Sequence, residues 1–174
     1  MQLWHLFPNL KRSLTLRNER RGVAAVEFAL TALLLIVLVI GTMEIGWQLE
    51  TEAALRNGVD EAIRFASTGQ SVVPDVKSSP TCRAQAIVFL ILLRAPMILK
   101  SENLKITSAA NGGTSVSSTG NGFGGSGGNT MVYTFVYTQP YLTFFGRLVM
   151  NSSSMTHTVT SLVKNEPFSG TINC

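Results

Sequence analysis

An apolar stretch close to the N-terminus limits the possible folds of this chain more than any other feature. Between Arg21 and Glu44 the only charged residue is Glu27. A helix that crosses a bilayer needs about 20 apolar residues, so residues 23–43 are predicted to form a transmembrane helix. A carboxylate costs roughly 2.5–3.5 kcal/mol if it is carried to the bilayer centre. Glu27 is therefore a candidate functional residue, although a glutamate near the membrane surface can also extend to the headgroups.

The basic residues are concentrated before this stretch. Residues 1–22 hold five Lys/Arg and one Glu, whereas residues 23–174 hold nine Lys/Arg and nine Asp/Glu. Lys and Arg before an apolar segment place that side in the cytoplasm. Residues 1–22 are therefore predicted to be a cytoplasmic leader, and residues 44–174 a domain on the opposite side of the membrane. No basic patch interleaved with aromatic residues is left to bind phosphates, which argues against nucleic-acid binding.

The apolar segment does not resemble a removable secretory signal. It is longer than the usual apolar region of such signals, and no small-x-small cleavage site follows it. We expect the segment to be retained as a membrane anchor.

Beyond the apolar segment the pattern becomes amphipathic. Apolar residues recur at helical spacing at Leu55, Val59, Ala62 and Ala66, which predicts one nearly continuous helix from about Val23 to Ser67. The run from Cys82 to Leu99 is too short to span a bilayer and predicts a buried helix, with a second membrane pass as the alternative.

The rest of the chain indicates strands. Alternating residues at 104–108, 131–138 and 155–163 predict a small antiparallel sheet, with a strand that stops before Pro140. Residues 111–129, which include eight glycines between positions 112 and 128, are predicted to form a flexible connecting loop. The predicted fold class is therefore α+β: a long N-terminal helix, membrane-spanning in its first half and amphipathic in its second, packed on a small antiparallel sheet with a second short helix.

Catalytic and metal-binding patterns are weak. The glycine tract contains strings that fit G-x-G-x-x-G and G-x-S-x-G, around Ser126, but a strand rather than a helix is predicted to follow. His157 is predicted to be a solvent-facing strand residue, and with His5 in the leader there is no zinc-ligand spacing. We therefore expect no catalytic residues, no metal and no cofactor.

The two cysteines, Cys82 and Cys174, both lie in the domain that is predicted to be outside the cytoplasm. An even number in an oxidising compartment permits one disulfide, and two unpaired thiols are the alternative. A bridge that closes so long a loop could stabilise the domain by on the order of 4 kcal/mol.

A second interpretation of Glu27 links it to Gly22. If the chain were cut between Gly22 and Val23, the new amino group would lie four residues before Glu27. In an assembly of helices, the carboxylate of one subunit could pair with the amino group of its neighbour. That pairing would offset the cost of burying both charges and would fix the axial register between subunits.

These residues carry a family resemblance. Gly22, Glu27 and Phe28, followed by an apolar helix, resemble the type IV prepilin class, in which a prepilin peptidase cleaves after the glycine. More narrowly, the segment is similar to TadE-like pseudopilins of tight-adherence (Flp) pilus systems. The residues that carry this similarity are Arg21-Gly22-Val23-Ala24-Ala25-Val26-Glu27-Phe28-Ala29-Leu30, Gly41-Thr42-Met43-Glu44-Ile45-Gly46, Leu55-Arg56-Asn57-Gly58, Ala62-Ile63-Arg64-Phe65-Ala66-Ser67 and, more loosely, Val163-Lys164-Asn165-Glu166-Pro167-Phe168.

The resemblance implies a non-enzymatic minor pseudopilin of the inner membrane that acts in assembly of a Flp pilus used for adhesion. Gly22 and Val23 would flank the processing site, and Glu27 and Phe28 would act in assembly and register. The implied partners are a prepilin peptidase, other Tad pilins and pseudopilins, and the inner-membrane assembly platform. Whether the protein enters the filament or stays in the membrane is open. The alternative is an uncleaved, signal-anchored envelope protein whose periplasmic domain binds a ligand or partner.

Overall fold

The computed structural model describes residues 19–70, 72–73, 76, 82–118 and 122–169. It contains three α-helices and four strands in these ranges, with a short 3-10 helix at Ser101–Asn103. The helices are α1 (Glu19–Ser67), α2 (Arg83–Arg94) and α3 (Phe144–Met150), and the strands are β1 (Leu104–Ala110), β2 (Val116–Ser117), β3 (Thr130–Pro140) and β4 (Ser154–Lys164). The fold class is α+β, as predicted.

The strands form one antiparallel sheet in the order β2-β1-β3-β4. Strand β3 lies in the middle, and its residues alternate between buried and half-buried positions because successive side chains of a strand point to opposite faces. The prediction that this strand stops before Pro140 is wrong, since Pro140 is its last residue and pairs with Ser154. A proline is tolerated there because the pairing of β1 with β3 reaches only to Tyr137, so β3 has a free edge at Pro140.

The chain divides into two units, up to Ile40 and from Gly41 onward. In the second unit, α1 contributes a buried apolar face to a core that it shares with α2 and β3. Its central residues include Leu55 and Val59 of α1, Ile87 and Ile91 of α2, and Phe135 of β3, all almost completely buried. The predicted amphipathic half of α1 is thus confirmed, and α2 is a buried helix as expected.

The glycine-rich segment is more than a connecting loop. It supplies the short strand β2, which pairs with the outer edge of β1. It also places Phe123 in the core, in edge-to-face contact with Tyr133 at a ring separation of 5.7 Å. Residues 119–121 of this segment lie outside the described residues.

Candidate functional site

The N-terminal part of α1 carries the residues of the predicted processing and assembly site. Gly22, Val23, Glu27 and Phe28 are all exposed. A side chain added at Gly22 would meet nothing within 4 Å. Gly22 lies in the first turn of α1, where backbone N–H groups have no helical acceptor and where unwinding costs least. The Glu27 carboxylate forms no hydrogen bond or ion pair with any side chain that the structure describes.

The following turns of α1 expose apolar side chains all round the helix. Among the described residues, one helix, Gly22–Ser67, is long and apolar enough to cross a membrane. None of its most apolar stretch of 18 residues is buried within the protein. Apolar side chains that no protein atom covers need another apolar environment. This surface indicates membrane anchoring.

The next charged residue, Glu44, is buried and belongs to the second unit. Its Oε1 accepts a hydrogen bond from Leu142 N–H at 3.0 Å, and its Oε2 accepts bonds from Thr143 N–H at 2.9 Å and Thr143 Oγ1–H at 2.8 Å. Gln48 donates a longer bond from Nε2 at 3.4 Å. We refer to Glu44, Gln48, Leu142 and Thr143 as the Glu44 cluster.

The hydrogen bonds of this cluster determine the ionisation of Glu44. Burial by itself would raise the pKa of the carboxyl group. The donors at Leu142, Thr143 and Gln48 act in the opposite direction and together outweigh burial, so the pKa of Glu44 lies below its usual value. The ionised carboxylate is therefore the form that holds the chain before α3 against α1.

Helix α3 is arranged for this contact. The Thr143 hydroxyl accepts a bond from Gly146 N–H at 3.0 Å and caps the helix, while Asn151 ends it in the left-handed conformation. Gly146 faces Glu44 so closely that an added Cβ would lie 2.9 Å from Glu44 Oε2. Helix α3 was not predicted from the sequence, although Thr143 and Asn151 are recognisable cap residues at its two ends.

A second polar contact joins α1 to β4. His157 Nε2 lies 3.0 Å from Gln48 Oε1, and His157 Nδ1 lies 3.8 Å from Glu52 Oε2. His157 is only 5% exposed, so the prediction that it faces solvent is wrong. Burial lowers the pKa of His157, and the nearby charge of Glu52 opposes this only in part. Helix α1 covers this position of β4, which the alternation of β4 alone could not reveal.

The third polar cluster lies inside the second unit, around Arg83. Its guanidinium donates to Gly124 O at 3.0 Å, reaches Asn165 Oδ1 at 3.5 Å and lies 5.0 Å from the centre of the Phe168 ring. Burial lowers the pKa of Arg83, and the nearby Tyr133 opposes this shift in part. Burial raises the pKa of Tyr133, and the nearby Arg83 opposes that shift in part. Arg83 thus attaches the start of α2 to the glycine-rich segment and to the chain after β4.

The glycine-rich segment lacks the surroundings of a nucleotide-binding or nucleophile loop. Its described turns lead directly into β3, and the Ser126 carbonyl accepts a bond from Asn165 Nδ2 at 3.0 Å. Both catalytic patterns require a helix after the glycines. Within the described ranges, no group of three or more His, Cys, Asp or Glu side chains could hold a metal ion.

The predicted disulfide falls partly outside the described residues. Cys82 precedes α2 at its N-cap position and is not a free thiol. Cys174 lies outside the described residues, so the bridge between Cys82 and Cys174 stays a prediction.

Comparison with known proteins supports the resemblance found in the N-terminal segment. The family model described as TadE-like protein matches residues 22–64. The match begins at Gly22 and includes Glu27, Glu44 and Gln48. No curated protein and no solved structure matches the chain. TadE-like proteins are pilin-type structural components and not enzymes, and the match over residues 22–64 suggests an association with Tad pili. Over residues 22–64, about a quarter of its length, the chain is similar to TadE-like proteins.

Proposed function

We propose that this protein is a minor pseudopilin that acts in the assembly of a Flp (Tad) pilus used for surface adhesion. In this proposal a prepilin peptidase removes residues 1–22 by cleaving between Gly22 and Val23. The mature protein begins at Val23, within α1, spans the inner membrane and carries residues 44–174 in the periplasm. Its partners are the other Tad pilins and pseudopilins and the inner-membrane assembly platform.

The observation that carries the proposal is the coincidence of three features at the start of α1. The family match begins at Gly22. Gly22 lies in the first helical turn, with free space around it. The apolar surface that follows contains one acid, Glu27, which is exposed and has no partner among the described side chains. A carboxylate in such a surface needs a compensating charge when the helix is buried in an assembly. The amino group of Val23 in a neighbouring subunit would supply it.

Cleavage can be tested with two glycine variants of the full chain. Gly22→Leu should leave uncleaved precursor in membranes that contain a prepilin peptidase, because the peptidase must accommodate residue 22 next to the scissile bond. Gly41→Leu is the matched control, since Gly41 lies in the same helix and also has nothing within 4 Å of an added Cβ. Intact-mass measurement should give a protein that begins at Val23 for the wild type and for Gly41→Leu. Wild-type protein that still begins at Met1 would contradict the proposal and favour the uncleaved envelope anchor.

The role of Glu27 requires a separate measurement. Glu27→Gln should be cleaved normally but should lose association with the other Tad pilins, because the neutral side chain no longer pairs with an amino group. Glu50→Gln is the control, since Glu50 is an exposed acid of the same helix. Co-purification of the processed protein with its pilus partners from membranes would show the difference. Equal recovery of partners with both variants would contradict the assigned role.

A further inference from the structure

Helix α3 presents a group of apolar side chains that the rest of the described protein leaves uncovered. We refer to these residues together as the α3 patch: Leu142 (53% exposed), Phe144 (78%), Leu148 (65%), Val149 (59%) and Met150 (59%). Phe144 and Leu148 lie one turn apart on the same side of α3, and the other three residues lie beside them along the chain. Exposed apolar side chains grouped in this way mark contact sites for lipid or protein.

The Glu44 cluster fixes the position of this patch relative to α1. Glu44 follows directly on residue 43, the end of the predicted transmembrane segment, and its carboxylate holds Leu142 and Thr143 through their N–H groups. A helix of seven residues is about 10 Å long. The headgroup layer on each face of a bilayer is about 5–8 Å thick. The α3 patch is therefore attached at the level where the apolar part of α1 ends.

The residues next to the patch are those that favour the headgroup layer. A cavity of about 340 Å³ beside α3 is lined in part by Trp47, Lys100 and Arg147. Tyr141 also lines it but is only 7% exposed. Trp and Tyr concentrate at membrane–water interfaces, and Lys and Arg can keep their apolar stems in lipid while their charges reach the phosphates. The combination of an apolar patch, aromatic residues and cations is the composition of an interfacial membrane helix.

We propose that the α3 patch inserts into the boundary between headgroups and acyl chains, on the face of the bilayer where α1 leaves the membrane. Helix α3 would then be a second, interfacial attachment, and Glu44 would hold it in place at the base of the domain. Lipid is the partner expected at this position, because the predicted membrane-spanning segment ends at residue 43, next to Glu44. The inference rests on the membrane anchoring in the proposed function and does not depend on the role in a pilus.

The test uses tryptophan fluorescence of the full-length protein in lipid vesicles. Both native tryptophans, Trp4 and Trp47, are replaced by phenylalanine, and one new tryptophan is introduced as Leu148→Trp in α3. Leu162→Trp is the matched control, since Leu162 is an equally exposed leucine (70%). It lies eight residues beyond Ser154 in β4, or about 27 Å along the strand. In β4 His157 lies near Gln48, and just after the strand Glu166 lies near Ser67, so this control lies towards the end of α1 that is far from residue 43.

The quencher is phosphatidylcholine brominated in the upper part of its acyl chains, mixed with phosphatidylglycerol. We expect the emission of Leu148→Trp to fall by about two-fold or more and that of Leu162→Trp by less than about one-tenth, because bromine quenches only within lipid contact. If the protein floats with the vesicles but the two variants are quenched equally, the interfacial insertion of α3 is overturned and the membrane anchor is not. Blue-shifted Leu148→Trp emission without quenching by bromine would show that protein covers the patch and would also overturn the assignment to lipid. Protein that does not float with the vesicles would overturn the membrane anchor as well.

Discussion

At the scale of single residues, Glu44 joins α1 to the segment that precedes α3. Its carboxylate accepts bonds from two backbone N–H groups and one hydroxyl group in the segment before α3. Hydrogen bonds to an ionised group are roughly twice as strong as neutral ones. Leaving buried donors without an acceptor costs about 1–3 kcal/mol each. The position of α3 therefore depends on one side chain of α1.

Glu44→Ala should lower the free energy of unfolding by about 2–3 kcal/mol, because Leu142 N–H and Thr143 N–H lose their acceptor. For a chain of this size the thermal midpoint should fall by roughly 5–10 °C. Circular dichroism of the detergent-solubilised full-length protein would measure this change. Glu50→Ala, an exposed acid of the same helix, should change the free energy by no more than about 0.5 kcal/mol. Equal midpoints for the two variants would contradict the importance of the Glu44 cluster.

His157 makes the stability of the protein depend on pH. Its pKa is lowered by burial, so between this pKa and about 6.5 the unfolded chain binds a proton that the folded chain does not. Stability is therefore expected to fall as the pH drops below about 6.5. Glu44, whose pKa also lies below its usual value, should add to the loss only below about pH 4.5.

His157→Gln should reduce the fall in thermal midpoint between pH 7 and pH 5, because glutamine does not titrate in this range and its amide can still face Gln48. Melting curves of wild type and variant at several pH values would test this prediction. A slope that is the same in both proteins would mean that other groups cause the acid sensitivity.

At the scale of elements, α1 and α2 cross at Gly58. An added Cβ at Gly58 would lie 2.9 Å from Ile91 O, so the absence of a side chain allows the two helix backbones to approach. Gly46, in the same helix, has nothing within 4 Å of an added Cβ. The two glycines therefore have different physical roles although both lie within α1.

Alanine substitutions at these two glycines should have opposite effects. Gly46→Ala should stabilise the protein by up to about 1 kcal/mol through helix propensity. Gly58→Ala should destabilise it by about 1 kcal/mol or more, since the forced separation of α1 and α2 outweighs the same gain. Thermal melting of the two variants beside the wild type measures both signs. Stabilisation by Gly58→Ala would contradict the close approach of the two helices.

The elements differ in how far they could be predicted. The face of α1 that contains Leu55 and Val59 was predictable because a period of 3.6 residues is a local property of the chain. Strand β3 was predictable for the same reason, with a period of two. Helix α3 is too short for a periodic pattern to be visible, and β4 has an alternation that does not show which residues α1 covers.

At the scale of the whole molecule, the predicted disulfide would join the start of α2 to the C-terminal end of the chain. Such a bridge would restrict the unfolded chain over a loop of roughly 90 residues and could contribute on the order of 4 kcal/mol. It would also reinforce the attachment that Arg83 makes between α2 and Asn165.

Alkylation with iodoacetamide under non-reducing conditions should leave both cysteines unmodified in protein purified from membranes, and reduction should make both reactive. The Cys82→Ser variant should melt at a lower temperature than the wild type. The double variant Cys82→Ser/Cys174→Ser should melt at about the same temperature as the single one, because either change breaks the same bridge. Quantitative alkylation before reduction would show two free thiols.

The sequence by itself determined the properties that depend on neighbouring residues. These are the apolar first half of α1 with its single acid, the amphipathic second half, the strand periods and the TadE-like segment. Only the tertiary structure decided which polar groups would be buried and what would hold them. Glu44 binds Leu142 and Thr143 across 98 and 99 residues, and Gln48 meets His157 across 109. Contacts at such separations leave no local pattern, because they depend on how the sheet packs on α1 and not on the residues beside each partner.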